Sequence, residues 1–191
     1  MVAGRSSATR AGFVTEKLLG TTETGVLSFQ EYFVRLRCAP RVRAIRFEGA
    51  ARARASAAAL ALLGAAGLSA VVICPSNPYL SVDPILSVPG WRSALASCAA
   101  PVIAVSPLIG GEAVKGPTAK IMRELALEVS PATVARHYAG LIDGFVLDHA
   151  DAAIARTIDI PVCLAHTLMR SVKDKERLAR EVLEFAQTLV I

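Results

Sequence analysis

Short runs of β-branched residues alternate with longer Ala- and Leu-rich stretches along most of this chain. The β-branched runs predict strands over residues 42–47, 70–74, 101–106, 144–147 and 161–165. Between and after them, helices are predicted over 55–66, 91–98, 117–127, 131–141, 151–156 and 174–189. Ser28 and Glu31 stand at capping-box spacing and start a short helix that runs to about Arg37, before Pro40. Residues 1–24 read as irregular, and residues 25–191 as one α/β domain without repeats or linkers. Strand, helix and strand in this alternation imply parallel pairing through right-handed crossovers. The expected fold is a three-layer sandwich with a mainly parallel, Rossmann-like sheet and helices on both faces.

Composition supports a buried sheet. Of 191 residues 53% are apolar, with few aromatics, as in α/β proteins whose strands are covered on both faces. The longest apolar stretch, residues 55–74, is interrupted by Ser56, Gly64, Gly67 and Ser69, and reads as a helix followed by a strand rather than a membrane span. Cys38, Cys74, Cys98 and Cys163 show no CxxC spacing, which suits free thiols in a reducing compartment. With no secretory signal pattern, a cytoplasmic protein is expected. Residues 1–60 hold ten Lys and Arg against four acids, and seven arginines fall between Arg35 and Arg54. Such a belt suits phosphate-bearing ligands, a solvated face, or a surface that meets another part of a larger protein. Nucleic acid is disfavoured, because no aromatics interleave with these arginines.

Candidate chemistry gathers where strands end. The segment Ser76-Asn77-Pro78 breaks a β-branched run into a turn at the carboxyl edge of the sheet, where open α/β sheets bind ligands. Pro75 and Pro78 lack N–H groups, so the expected anion donors are the amides and side chains of Ser76 and Asn77. A second loop after residues 102–106 carries Gly110 and Gly111, which permit close backbone approach, then Lys115 and Gly116 just before a helix. Asp148 follows another strand and suits a ribose, a base, a metal, or the ordering of the turn before Asp151, the expected helix cap; the structural role is favoured. His166 and Thr167 follow the last strand as packing or turn residues. His137 and His149 lack partners at zinc-ligand spacing, and no GxSxG motif or ordered triad marks Ser76 as a nucleophile.

Several strings together resemble one family. They are Leu27-Ser28-Phe29-Gln30-Glu31-Tyr32-Phe33-Val34-Arg35, Arg46-Phe47-Glu48-Gly49-Ala50, Pro75-Ser76-Asn77-Pro78 with Val82-Asp83-Pro84-Ile85-Leu86, Val105-Ser106-Pro107-Leu108-Ile109-Gly110-Gly111 through Lys115-Gly116-Pro117, and Thr167-Leu168-Met169. From about Gly25 onward the chain resembles the CofD family, the 2-phospho-L-lactate transferases of deazaflavin coenzyme F-420 biosynthesis. The resemblance implies phosphoryl transfer. A hydroxyl of the deazaflavin Fo attacks a phosphorus of a guanosine-diphosphate-linked three-carbon acid, lactyl or enolpyruvyl, GMP leaves, and Mg²⁺ assists. It implies nucleotide or phosphate contacts for Ser76, Asn77, Pro78, Gly110, Gly111, Lys115 and Gly116, and a substrate-side position for Glu31, Tyr32 and Arg35.

The departures also carry expectations. Members of the resembled family are longer on the amino-terminal side, with a Gly-rich loop and acidic metal ligands there, and neither is found in residues 1–24. Asp83 and Asp148 are the first carboxylates to consider for Mg²⁺ in this chain. Cys74 stands where a small residue is expected, and Ala165-His166 where a polar pair is expected. The sheet should therefore lack its first strands, leaving apolar residues near 42–47 or 70–74 exposed or covered by a second copy in a homodimer. The rival readings are a nucleotide-sugar-binding module of the gluconeogenesis-factor type, against which the helix at 29–35 speaks, and an inactive fragment that needs a partner chain.

Overall fold

Two strands carry the centre of the molecule; the first is apolar throughout and the second up to its last residue, Asp148. β5 (Val102–Val105) and β8 (Gly144–Asp148) are buried along their whole length, as strands covered on both faces must be. The computed structural model describes residues 18–22, 25–113 and 116–189. In it β4 (Val71–Ile73), β5, β8 and β9 (Val162–Ala165) form a parallel sheet in the order β4-β5-β8-β9. Side chains alternate between its faces. Ala104, Phe145 and Leu147 enter the larger core, and Ile103, Val105 and Val146 the smaller.

The strands are laid down in one direction across the sheet, so a single crossover hand puts every connection on one face. The larger core on that face holds residues from each crossover. Tyr79 and Leu80 come from the helical turn Pro78–Val82, Leu86 from α2 (Asp83–Leu86) and Leu95 from α3 (Trp91–Ala96). Ile121 and Met122 come from α4 (Thr118–Glu124), and Val134 and Tyr138 from α5 (Pro131–His137) and its end. Ala155 comes from the 3₁₀ segment His149–Thr157. The other face is covered by α6 (Val172–Leu189), whose Leu178, Val182 and Ala186 recur every four residues. This is the expected three-layer α/β arrangement.

α6 is fixed at its start by a capping box. The Ser171 hydroxyl accepts from the Asp174 N–H, and the Asp174 carboxylate accepts from the Ser171 hydroxyl and from the N–H groups of Arg170 and Ser171. These bonds, the Ser171 hydroxyl foremost, bring the exposed Asp174 carboxyl down to about 2.

The sequence reading is corrected at the amino-terminal end. Residues 18–22, read as irregular, form β1 (Leu18–Thr22), which pairs antiparallel with both β2 (Gly25–Ser28) and β3 (Val42–Phe47). The strand at 42–47 therefore does not join the parallel sheet. Its N–H at Val42 donates to Glu124 of α4, and Lys120 of α4 donates to the Pro40 carbonyl. Of the two stretches where exposed apolar residues were expected, 42–47 is covered, with Val42 buried because this small sheet shares the larger core, while Val72 and Cys74 of 70–74 are exposed. The short helix after Ser28 forms, with the Ser28 hydroxyl accepting from the Glu31 N–H, and widens into five π-type residues, Glu31–Arg35.

Gly144 sets how closely α6 approaches the sheet. A Cβ there would lie 2.7 Å from the Phe185 ring and 2.8 Å from Leu189. Gly144→Ala is expected to destabilise the chain by about 1–3 kcal/mol through overpacking, read as a lower urea midpoint. Combined with Phe185→Leu, it should cost less than the sum of the single changes.

Candidate functional site

Three strand ends and the start of a helix converge on a hollow of about 130 Å³ at the carboxyl edge of the parallel sheet. Pro75 and Asn77 follow β4, Ser106, Pro107 and Ile109 follow β5, and Thr167, Leu168 and Met169 follow β9, while Thr118 opens α4. The two loops singled out in the sequence thus meet at one site.

Asn77 is the residue on which the site turns. Its Oδ1 accepts from the N–H groups of Tyr79 and Leu80, each at 3.0 Å, and so caps the helical turn Pro78–Val82. That cap fixes which way the amide points. Its Nδ2 is buried and has no hydrogen-bond partner among the described residues. A buried donor without an acceptor is costly, and Asn77 is also one of the residues that line the hollow. The Ser76 N–H, expected to be free, donates to the Cys74 carbonyl at 2.6 Å. Pro78 is buried in the first turn of the helical segment. Neither Ser76 nor Pro78 lines the hollow.

Gly110 and Gly111 do not form an open loop. With φ of +60° and +73° they make the two-residue turn between β6 (Leu108–Ile109) and β7 (Glu112–Ala113), where positive φ at both positions suits the twist of a hairpin. Their N–H groups are taken by the Asp151 carboxylate, at 2.9 Å and 3.0 Å, and Gly110 and Gly111 do not line the hollow. Gly116, also at positive φ, is exposed beside α4. Lys115 lies outside the described residues.

Asp148 takes the structural role favoured for it together with the cap expected of Asp151, which bonds elsewhere. Asp148 caps the 3₁₀ segment by accepting from the Ala150 N–H, and it also accepts from the N–H and hydroxyl of Thr167. Burial pushes its carboxyl up, but these bonds and the nearby His166 outweigh that and hold it below the usual carboxylate range. Asp151, 3% exposed, reaches across to the hairpin instead. Asp83 accepts from His137 at 2.8 Å and lies 3.9 Å from Arg92, tying α2 to α5. Burial, with the Asp83 charge second, pushes the neighbouring Tyr79 hydroxyl up to about 12. Both carboxylates considered for Mg²⁺ are thus engaged by protein groups, and no cluster of three His, Cys, Asp or Glu exists among the described residues. The residues described here do not fit that ion.

Glu31, Tyr32 and Arg35 lie beside the antiparallel sheet and do not line the hollow. Glu31 and Arg35 form an ion pair with each other. Tyr32 is a core residue whose hydroxyl is pushed up by burial and by Cys38. Ser106 and Thr118, not singled out in the sequence, are buried in the wall of the hollow. A polar residue directly after a predicted strand was the available signal for Ser106. His149 and His166, at the ends of β8 and β9, bring their rings to 4.6 Å.

A one-directional parallel sheet with helices on both faces and a hollow at its carboxyl edge defines an open α/β fold of the kind whose ligands sit beyond the carboxyl ends of the strands. The model of the family described as 2-phospho-L-lactate transferase CofD matches residues 14–184, and the chain belongs to that family. It is 37% identical over 169 residues to a phosphoenolpyruvate transferase of Streptomyces griseus, covering 86% of this chain and 52% of that protein. It is 32% identical over 178 residues to a 2-phospho-L-lactate transferase of Methanocaldococcus jannaschii, covering 92% and 56%. A solved structure of a UPF0052 family member from Bacillus halodurans shares the fold at 14% identity and a TM-score of 0.53, covering 85% of this chain and 57% of that one. The chain thus spans about half the length of the relatives it matches.

Asp148→Asn is expected to cost about 1.5–3 kcal/mol at pH 7, the range for hydrogen bonds to a charged group. Because the folded-state carboxyl is depressed, its contribution is fully present above the unfolded value of about 3.9 and fades as pH falls through the lower folded one. Urea midpoints of chain and variant should therefore converge below about pH 4.

Proposed function

We propose that this chain supplies the donor-side site of a transferase. That enzyme moves a phospholactyl or phosphoenolpyruvyl group from a guanosine-diphosphate-linked donor to the deazaflavin Fo, with release of GMP, in the cytoplasm. The observation that carries this reading is the fixed, unpartnered Nδ2 of Asn77, set in a hollow at the carboxyl edge. It is built from the Pro75–Asn77, Ser106–Ile109 and Thr167–Met169 strings that carry the family resemblance. A non-bridging phosphate oxygen or an acid carboxylate is the acceptor such a donor suits. Lys115, by sequence at the entrance of α4, would add the positive charge a diphosphate needs. The relatives are named for both acids, so lactyl and enolpyruvyl donors stand equally.

The reaction bonds the Fo hydroxyl oxygen to phosphorus and breaks the bond from that phosphorus to the GMP oxygen. Positioning and charge neutralisation carry such a step. Any carboxylates for Mg²⁺ would come from outside the described residues. The nucleotide-sugar-binding alternative gains nothing from the UPF0052 neighbour, because a likeness at 14% identity shows the fold alone.

Two substitutions at Asn77 separate its capping from its binding role. Asn77→Ala removes both and should weaken GMP affinity while costing about 1 kcal/mol of stability. Asn77→Asp keeps the capping oxygen, replaces the donor by a negative charge, and should abolish measurable GMP binding, with a stability cost of its own because that charge is buried without a donor. Isothermal titration with GMP and urea melts measure the two effects, and equal GMP affinity in the Asp variant would reject the site. With Fo, the guanylylated acid and Mg²⁺, the unaltered chain should turn over slowly or not at all; robust turnover would place a metal site among residues of this chain.

A further inference from the structure

His149 has no partner at metal-ligand spacing along the sequence, but the sheet gives it one. Asp148 of β8 and Ala165 of β9 are the last register pair of the parallel ladder, and the next residue on each strand is a histidine. Adjacent strands lie about 4.8 Å apart, and the rings of His149 and His166 stand with their centres 4.6 Å apart, tilted by 51°. Both residues are exposed, so burial is not what brings the rings together. Two imidazolium rings this close would repel each other. Neither ring makes a hydrogen bond to another described residue, whereas the third histidine, His137, is bonded to Asp83.

We propose that His149 and His166 together bind one divalent late-transition ion of the zinc class. The site is open: two ring nitrogens come from the protein, and the remaining positions go to water or to an oxygen of a bound molecule.

Three observations carry this assignment. The first is the ring separation. With metal–nitrogen bonds of about 2.1 Å and a ring centre about 1.1 Å beyond each nitrogen, two imidazoles on one ion at about 90–110° place their centres about 4.5–5.2 Å apart. The 4.6 Å between His149 and His166 lies in that range. The second is that one carboxylate clamps the backbone beside both rings. Asp148 accepts from the N–H of Ala150, directly after His149, and from the N–H and hydroxyl of Thr167, directly after His166. Arg177 also donates to the His166 carbonyl at 3.0 Å. Ligands held in advance lose less freedom when they bind. The third is the donor set. Neutral imidazole suits zinc, copper and nickel, whereas magnesium takes oxygen ligands. The Asp148 oxygens are already engaged, and no cluster of three ligating side chains exists among the described residues. Structural zinc sites have four protein ligands, so a two-imidazole site is an exchangeable one. Thr167, next to His166, lines the Asn77 hollow, so the ion would stand beside that hollow.

Zinc titration of the 191-residue chain, followed by NMR of the histidine rings, tests the proposal. One equivalent of Zn²⁺ should shift the ring signals of His149 and His166 together and leave those of His137, the internal reference, in place. Mg²⁺ in large excess should shift neither. By isothermal titration, His149→Ala and His166→Ala should each weaken zinc binding about tenfold or more, and the double variant should add little, because losing either ring ends the chelate. Both histidines are exposed, so the variants should keep nearly the parent's urea midpoint; the ring shifts in the unaltered chain decide the matter even if one variant does not fold. The exposed Cys74 is the competing ligand, and Cys74→Ser should leave zinc affinity unchanged. A shift of one ring without the other, parental affinity in either alanine variant, or affinity lost in Cys74→Ser would each overturn the proposal. No readout uses nucleotide or turnover, so the outcome is independent of the transferase reading.

Discussion

Two buried carboxylates hold the carboxyl edge of the sheet together. Asp148, at the end of β8, accepts from Thr167 beyond β9, and Asp151, three residues on, accepts from the Gly110-Gly111 turn beyond β5. Loops at a strand end have no ladder to hold them, so their N–H groups need another acceptor. Here a single short segment provides it for the neighbours on both sides. The walls of the Asn77 hollow that come from β5 and β9 keep their places through these bonds. The wall from β4 is held separately, by the cap that Asn77 makes on its own helical turn.

This arrangement divides the polar groups at the edge into two sets. The amides of Ser76, Gly110 and Gly111 and the carboxylates of Asp148 and Asp151 are engaged within the protein. Asn77 Nδ2 is left over. A ligand therefore meets a largely finished scaffold, the kind of pre-organisation that lowers the cost of binding.

The parallel sheet was legible in the sequence because its central strands are uninterrupted β-branched runs, and the helices because their apolar residues keep helical spacing. β1 and β2 were not. Gly20, Thr21, Thr22 and Gly25 give no clean alternation, and the hairpin is stabilised by β3, which lies about twenty residues further on. The site was legible to the level of which loops meet, since position after a strand is enough for that. Which atoms remain free was not. In Asp148-His149-Ala150-Asp151 either acid could cap the turn, and only the position of the hairpin across the sheet decides between them. The hairpin at the Gly-Gly pair was not legible for a similar reason: two adjacent glycines serve close approach to a ligand and a two-residue turn alike.

The shortness of β4 has a bearing on solubility. An unpaired strand edge can template pairing with other chains, and long, flat, apolar edges are the hazardous ones. β4 spans only Val71–Ile73, and Pro75, two residues on, has no N–H to extend a ladder. An edge this brief offers too few hydrogen bonds to recruit strands indiscriminately. The chain can carry an open sheet edge with little tendency to polymerise along it.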